Sequence, residues 1–419
     1  MPSSVDGVLF HNLLIERSYA MVRRGITFLL ENSLFLIGGT FAALVWANYD
    51  HESYERMVHM QVFGKTIHFW VTDVGMSLFF LLAGKEVFES FLPGGSLSSL
   101  RKAATPLVAT LGGMIFPAAV FYGCCMVFDR QDVLRGWAIP CATDIAFSYL
   151  IAKIIFGPNH VAIPFLLLIA IADDAGGLAI LALGYSQGGG DWYSCGLLLL
   201  LAMCIGLLLR VCSVKSFLPY LIGPGVCSWL AFEAGGLHPA LGLVPIVCLM
   251  PHERKDIGIF VEAEDALPDA LNRMEHCLKP LVEGILGLFA LVNAGVVFSN
   301  VAAPTGFVLG SLLVGKPLGI FLCTIVAMAI FSLEMPHGMT KRDLLVVGMV
   351  AGIGFTVSLF VSVVAFPEGG VVLDAAKMGA LFSFGSGLVA IATAKLLGVQ
   401  REKSPDRVSV PILLAEVEG

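Results

Sequence analysis

Leu166-Leu167-Leu168-Ile169-Ala170-Ile171-Ala172-Asp173-Asp174-Ala175-Gly176-Gly177 is the stretch that decides the fold. Seven apolar residues lead into two consecutive carboxylates, and apolar sequence resumes beyond them. A bilayer takes about 20 apolar residues to cross. The run 161–184 is that long, so the pair falls near its middle. An ionised side chain there costs about 2.5–3.5 kcal/mol on insertion scales, and such residues are kept for function.

The rest of the chain has the same character. Of its 419 residues 57% are hydrophobic and 14% charged, and the mean hydropathy is +0.86. A soluble domain has roughly 45–50% apolar and about 25% charged residues, so this chain lacks the charge to coat a soluble globule. Apolar runs mark spans near 26–47, 70–91, 104–127, 135–155, 161–184, 194–209, 217–233, 236–250, 280–300, 305–332, 343–366 and 373–396. They do not alternate over about 10 residues as barrel strands do. Helices are the remaining way to satisfy a backbone in lipid. The expected fold class is an all-α polytopic membrane protein of about twelve transmembrane helices.

Basic residues orient it. With the N-terminus inside, eighteen of the 25 Lys and Arg fall on the inner side. Arg56, Lys65, Arg130, Arg135 and Lys377 fall outside, and Lys85 and Lys316 lie within spans. Both termini are therefore expected in the cytoplasm. Residues 1–397 read as a single membrane domain and 398–419 as a polar cytoplasmic tail. No basic cluster interleaved with aromatics supports nucleic-acid binding. The ten cysteines are scattered without a C-x-x-C and read as reduced, structural thiols. No cleaved signal and no cofactor are expected.

Two further charges lie in apolar sequence. Asp144 follows Thr143 in Pro140-Cys141-Ala142-Thr143-Asp144-Ile145, and Lys316 lies in Val314-Gly315-Lys316-Pro317. One buried Asp is as readily a packing hydrogen bond as a site. Three of them, one beside a Thr, point to chemistry. Carboxylates, a hydroxyl and freed backbone carbonyls are hard oxygen donors that suit Na+ or Li+. Adjacent carboxylates resist simultaneous ionisation, so protons and a cation compete for one site, and that competition yields exchange. Two spans read as broken: the fourth at Pro140, the eleventh at Gly352-Ile353-Gly354-Phe355-Thr356. Glycines in membrane helices commonly serve close packing. Here the two breaks sit in the middle members of two three-helix sets, 3–5 and 10–12, which marks a transporter site at the midplane.

At these residues the chain resembles the NhaA family of bacterial sodium/proton antiporters. The matching stretches are Ala142-Thr143-Asp144-Ile145-Ala146-Phe147, Ile171-Ala172-Asp173-Asp174, Asn293-Ala294-Gly295-Val296, Gly315-Lys316-Pro317-Leu318-Gly319 and Gly352-Ile353-Gly354-Phe355-Thr356-Val357-Ser358. Gly94-Gly95-Ser96-Leu97 and Leu111-Gly112-Gly113-Met114-Ile115 also match, and the order holds from about Asn32 to Leu397. The resemblance implies inverted repeats of helices 3–5 and 10–12 crossing at the breaks. It implies a bacterial inner-membrane protein that extrudes Na+ or Li+ electrogenically for a larger number of protons, in the service of pH homeostasis. Asp173 and Asp174 would carry cation and protons, with Thr143 and Asp144 assisting. Asp144 would offset the helix N-termini at the crossing. Lys316 would pair with Asp173 or balance the opposing dipoles. For pH response the resemblance points to Glu86, Glu275 and His276. There the chain departs from the family pattern, with Lys85, Phe88, Glu89, Ser90 and Lys279.

Other classes fit less well. An intramembrane aspartic protease needs Gly-x-Gly-Asp, and here Phe355 follows Gly352-Ile353-Gly354. A cation-coupled solute symporter needs basic or aromatic groups in a larger polar cavity, and only Lys85 and Lys316 offer themselves within spans. A channel would pass current without proton coupling. Residues 58–69, between helices 1 and 2, mix polar and apolar residues around Phe63-Gly64-Lys65, as two short strands and a turn do. The resemblance implies that this outer hairpin joins two protomers in a homodimer.

Overall fold

In a computed structural model of the chain, the structure describes residues 34–92, 95, 97, 100–186, 189–251 and 270–401. The start of the first expected span, most of the inner loop at 251–279 and the tail after 401 lie outside the described residues, as do several of the basic residues that orient the chain.

The chain is an all-helical membrane protein. Among the described residues six helices are long and apolar enough to cross a membrane singly: Ile67–Phe91, Ala103–Val127, Ala162–Gly184, Trp192–Val211, Ala303–Phe331 and Gly370–Leu397. Two more crossings are bent pairs: Gln131–Cys141 with Ile145–Phe156, at 56°, and Lys341–Ala351 with Phe355–Ala365, at 47°. Leu34–Tyr49 and Pro239–Leu249 are shorter apolar helices. The segment 218–234 and Ala270–Asn293 complete twelve helical segments in the expected order.

Three segments depart from expectation. The ninth runs over Ala270–Asn293 rather than 280–300. Its first turns carry Arg273, Glu275, His276 and Lys279, which hide it from a hydropathy reading. It ends at Asn293, and Tyr54 packs on the chain just beyond: a Cβ on Gly295 would lie 2.1 Å from the Tyr54 ring. The eighth segment is two 3-10 turns, Pro239–Leu241 and Val244–Leu249, since Pro239 and Pro245 deny it an α ladder. The first half of the fourth is also 3-10, over Gln131–Cys141.

The third and tenth spans, the leading members of the two repeats, meet backbone to backbone. A Cβ on Gly112 would lie 2.2 Å from the Gly319 carbonyl oxygen, and one on Gly319 would lie 2.1 Å from that of Gly112. Only glycine on both sides permits this approach. Lys316 sits one turn before Gly319. It directly follows a π-turn over Ser311–Gly315, beside Pro317, whose missing N–H interrupts the ladder.

Between the first two spans a short helix, His51–Val58, leads into a hairpin. Strand β1 (Gln61–Val62) pairs antiparallel with β2 (Lys65–Thr66), with Gln61 opposite Thr66 and Val62 opposite Lys65. Phe63 and Gly64 both have positive φ, at 51° and 78°, as a two-residue hairpin turn of the primed type requires. Lys65 therefore belongs to a strand rather than to the turn, and the hairpin is shorter than 58–69 because helices claim both ends. All ten cysteines are free.

Candidate ion-exchange site

The two broken spans cross at their breaks, and backbone groups freed there find partners across the crossing. The Asp144 N–H donates to the Ile353 carbonyl oxygen at 2.7 Å. The Ser148 hydroxyl donates to the Val350 carbonyl at 3.0 Å, and Ser358 to Ile139 at 2.7 Å. These serines stand at equivalent places, four residues after Asp144 and Gly354. The arrangement repeats with an approximate twofold relation, as the inverted repeats predict.

Charge breaks that symmetry. Asp144 caps the helix Ile145–Phe156, its Oδ1 accepting from the Phe147 N–H at 3.2 Å. Its Oδ2 accepts from the Thr356 N–H at 3.1 Å and the Thr356 hydroxyl at 2.6 Å, at the start of Phe355–Ala365. A single carboxylate thus faces both positive helix ends. Asp144 is buried and its oxygens are taken up by these three donors.

Asp173 lies opposite. It is fully buried, as are Lys316 and Thr143. Its Oδ2 accepts from Lys316 Nζ at 2.8 Å and from the Thr143 hydroxyl at 2.6 Å. Lys316 Nζ also donates to the Cys141 carbonyl at 2.6 Å, where the half-helix Gln131–Cys141 ends. That places a cation at a negative helix end. The Thr143 oxygen also lies 3.1 Å from the Ala351 carbonyl, at the end of the other half-helix. Its single proton serves one acceptor at a time. Asp173 Oδ1 is buried without a hydrogen-bond partner among the described residues.

Asp174, next along the fifth span, borders a narrow cleft lined by Phe80, Ala83, Gly177, Leu178, Leu181 and Val357. The second, fifth and eleventh spans meet there. Four sequence-predicted residues, Asp173, Thr143, Asp144 and Lys316, therefore gather at the crossing, and Asp174 faces the adjoining cleft.

Of the residues expected to respond to pH, Glu275 joins a cluster at the far end of the second span from the hairpin. Lys85 Nζ lies 2.5 Å from Glu275 Oε2 and 2.6 Å from Glu89 Oε2, and donates to Asn272 Oδ1 at 3.3 Å. Glu86 adjoins it on the same helix. His276 points elsewhere and is exposed.

Several residues escaped the sequence reading. Thr356, quoted only as part of a motif, proves to be the partner of Asp144. Glu283 lies inside the ninth span with its Oε2 buried and, among the described residues, without a hydrogen-bond partner. An acidic residue in an apolar run was its visible signal. Lys377, counted with the outer basic residues, is buried in the twelfth span, so Lys85 and Lys316 are not the only cations within spans.

A sequence model of the family described as Na+/H+ antiporter 1 matches residues 29–397. The Na(+)/H(+) antiporter NhaA of a Jannaschia species is 47% identical over 90% of this chain and 98% of its own length. The antiporter of the same name from Desulfitobacterium hafniense is 44% identical over 91% and 98%. That from Geobacter sulfurreducens is 42% identical over 91% and 100%. Among solved structures, the sodium proton antiporter MjNhaP1 of Methanocaldococcus jannaschii is 15% identical, covers 88% of this chain and 90% of its own, and superposes with a TM-score of 0.48. With the family pattern running from before the first described span to the end of the twelfth, this chain belongs to the Na+/H+ antiporter 1 family.

Proposed function

We propose that this chain is an electrogenic antiporter that extrudes Na+ or Li+ in exchange for protons. Asp173 carries the reading. One of its oxygens is held by Lys316 and Thr143, and the other is buried with no partner, at the point where two broken helices cross. A buried carboxylate oxygen of this kind is a place for a proton or a small hard cation. Asp174, beside the cleft, is the second carrier and the first to meet an entering ion.

Competition supplies the coupling. Na+ at the pair displaces protons from the two carboxylates and loosens the hold of Lys316 on Asp173. When Na+ leaves, protons return and Lys316 re-engages. More protons traded than cations move net charge, which makes the exchange electrogenic. Thr143 contributes a hydroxyl oxygen, and Asp144 fixes the crossing around which the site is built. Substrate is moved and not chemically altered, so the protein acts as a transporter rather than an enzyme.

The same reading places the chain in a bacterial inner membrane with both termini cytoplasmic, in line with the excess of Lys and Arg assigned to one side. Residues 1–397 form the membrane domain and 398–419 a tail. The inner cluster that includes Glu275, with Glu86 beside it, is the seat of pH response. His276, exposed and apart from it, is the further group assigned to that response. The chain works as a homodimer joined through the hairpin region.

The experiment is Na+-induced dequenching of a pH-sensitive dye in everted vesicles, scanned across pH, for wild type and Asp174→Asn. Wild type releases protons on Na+ or Li+ addition. The variant folds, inserts and exchanges nothing. Normal exchange by Asp174→Asn at normal expression would remove the pair from the mechanism.

A further inference from the structure

Glu283 is an acidic residue in the body of the ninth span. A charge there costs about 2.5–3.5 kcal/mol, and a structural carboxylate recovers that cost through partners. Glu283 does not: among the described residues, no group donates a hydrogen bond to its buried Oε2. The contrast with Asp144 is direct, since three donors saturate that carboxylate. A buried oxygen left open in this way marks a group that holds something exchangeable.

Its depth follows from two contacts. The second and ninth spans run antiparallel. Lys85 of the second bonds Glu275 of the ninth, and a Cβ on Gly75 would meet Ile285 at 2.9 Å. Ten residues separate the contacts on both helices, about 15 Å of rise, so the register holds between them. Glu283 stands eight residues beyond Glu275, about 12 Å deeper than the Lys85 cluster. It is level with Ser77, one turn past Phe80, which lines the cleft beside Asp174. Glu283 is therefore at the level of the ion site and not at the membrane surface.

Two charges act on it: Lys279, one turn back on its own helix, and Asp144 at the crossing. The elements packed most extensively on the ninth span are the first span, the second span and the helix Phe355–Ala365; the helix His51–Val58, with His51, Glu52, Glu55 and Arg56, reaches only its far end, through Tyr54 to Val292. The described part of the first span, Leu34–Tyr49, and Phe355–Ala365 bring no Asp, Glu, Lys, Arg or His. The second brings Asp73, Lys85, Glu86, Glu89 and His68. Of these, Lys85 and Glu89 are engaged with each other, and Lys85 also with Glu275. Glu283 thus shares the negative potential of the crossing with Asp144, without a cation at ion-pair distance among the described residues.

We propose that Glu283 is a third proton-exchanging carboxylate of the transport reaction, beside Asp173 and Asp174. Na+ arriving at the pair adds positive charge near the crossing. Glu283 then releases its proton to water as H+ and remains as carboxylate. When Na+ departs, Glu283 takes a proton from water and is neutral again. The proton is the only particle moved, and each cycle returns Glu283 to its starting state. This rests on the exchange reading above, and it adds a residue that supplies part of the proton count.

Infrared difference spectroscopy of the purified, lipid-reconstituted protein, with and without Na+, tests it apart from transport. Wild type should lose a protonated-carboxyl C=O band on Na+ addition. Glu283→Gln should lack that component, and Glu283→Asp should shift it. In vesicles, each proton displaced by Na+ makes the apparent KM change about tenfold per pH unit, and Glu283→Gln should show a shallower slope while still exchanging. An unchanged band and slope in both variants would overturn the proposal and leave the aspartate pair untouched. A wild type that moves no protons with Na+ would instead sink the exchange reading. The pH-induced difference spectrum taken without Na+ would still show whether Glu283 titrates, and no Glu283 component there would end this proposal as well.

Discussion

Replacing Lys316 with Ala removes the cation that joins the two halves of the site. The ammonium donates 2.8 Å to Asp173 Oδ2 and 2.6 Å to the Cys141 carbonyl, in a fully buried place. Breaking a buried pair from one side costs about 3–5 kcal/mol, because the remaining charge is left without a partner. With an unfolding entropy of about 2.1 cal/mol/K per residue, that loss lowers Tm by roughly 3–6 °C in a chain of this length. The cost falls mainly on the stranded charge, so Lys316→Ala combined with Asp173→Asn should recover much of it, a coupling visible in a double-mutant cycle. The assay is thermal unfolding of detergent-solubilised wild type, both single variants and the double variant, followed by electrogenic exchange in proteoliposomes. Strictly additive losses would refute the argument, since they would mean that the two groups do not act on each other. Exchange that survives Lys316→Ala but loses its electrogenicity would assign the lysine to proton coupling and not to stability alone.

Other expectations follow from individual contacts. Asp144→Ala removes three hydrogen bonds and the caps of two helices, at about 3–5 kcal/mol; Asp144→Asn, which keeps an acceptor oxygen, should lose less in the same thermal assay. The Tyr54 hydroxyl donates to the Val292 carbonyl at 2.7 Å and accepts the Gly295 N–H at 3.2 Å, so Tyr54→Phe should cost about 1–3 kcal/mol. Burial pushes the Tyr54 phenol well above its ordinary range, with the Gly295 N–H partly opposing. The folded protein then holds this proton after the unfolded chain has lost it. Stability should fall as pH rises beyond about 10, and Tyr54→Phe should flatten that decline. Deleting residues 58–68 should lower the dimer fraction measured by mass in mild detergent; an undiminished dimer would take the hairpin out of the interface.

What the sequence disclosed and what it hid follow one physical line. Charges in apolar runs stand out because lipid penalises them, so Asp144, Asp173, Asp174 and Lys316 were legible as a set. The breaks at 142–144 and 352–354 were legible because Pro140 and the paired glycines interrupt a helical ladder. Pairings across the chain left no local mark. Thr356 reaching Asp144 joins residues 212 apart, and a hydroxyl in an apolar helix reads as ordinary. The ninth helix was placed late because its first turns are charged, and hydropathy measures lipid exposure rather than helicity. Lys85 read as a departure from the family pattern. It gained meaning only when Glu89 and Glu275 closed around it, and half of that arrangement comes from a helix almost 200 residues away.

The crossing also explains why charge must break the twofold relation of the repeats. Two half-helices begin there with exposed N–H groups and two end there with exposed carbonyls. A symmetric solution would place one carboxylate at each beginning and one cation at each end, and every charge would be satisfied. This chain instead covers both beginnings with Asp144 and one end with Lys316, and gives the other end the hydroxyl of Thr143. Lys316 and Thr143 then turn to the same oxygen of Asp173. The lysine is thus tied to a helix end that it stabilises and to a carboxylate that, under the exchange proposed above, it gives up when an ion binds. In that proposal its release costs less than that of a lysine held by Asp173 alone, because the Cys141 carbonyl is a second acceptor for the ammonium. An ion pair that opens without freeing its cation can alternate between two charge states within one buried site, and exchange requires that property.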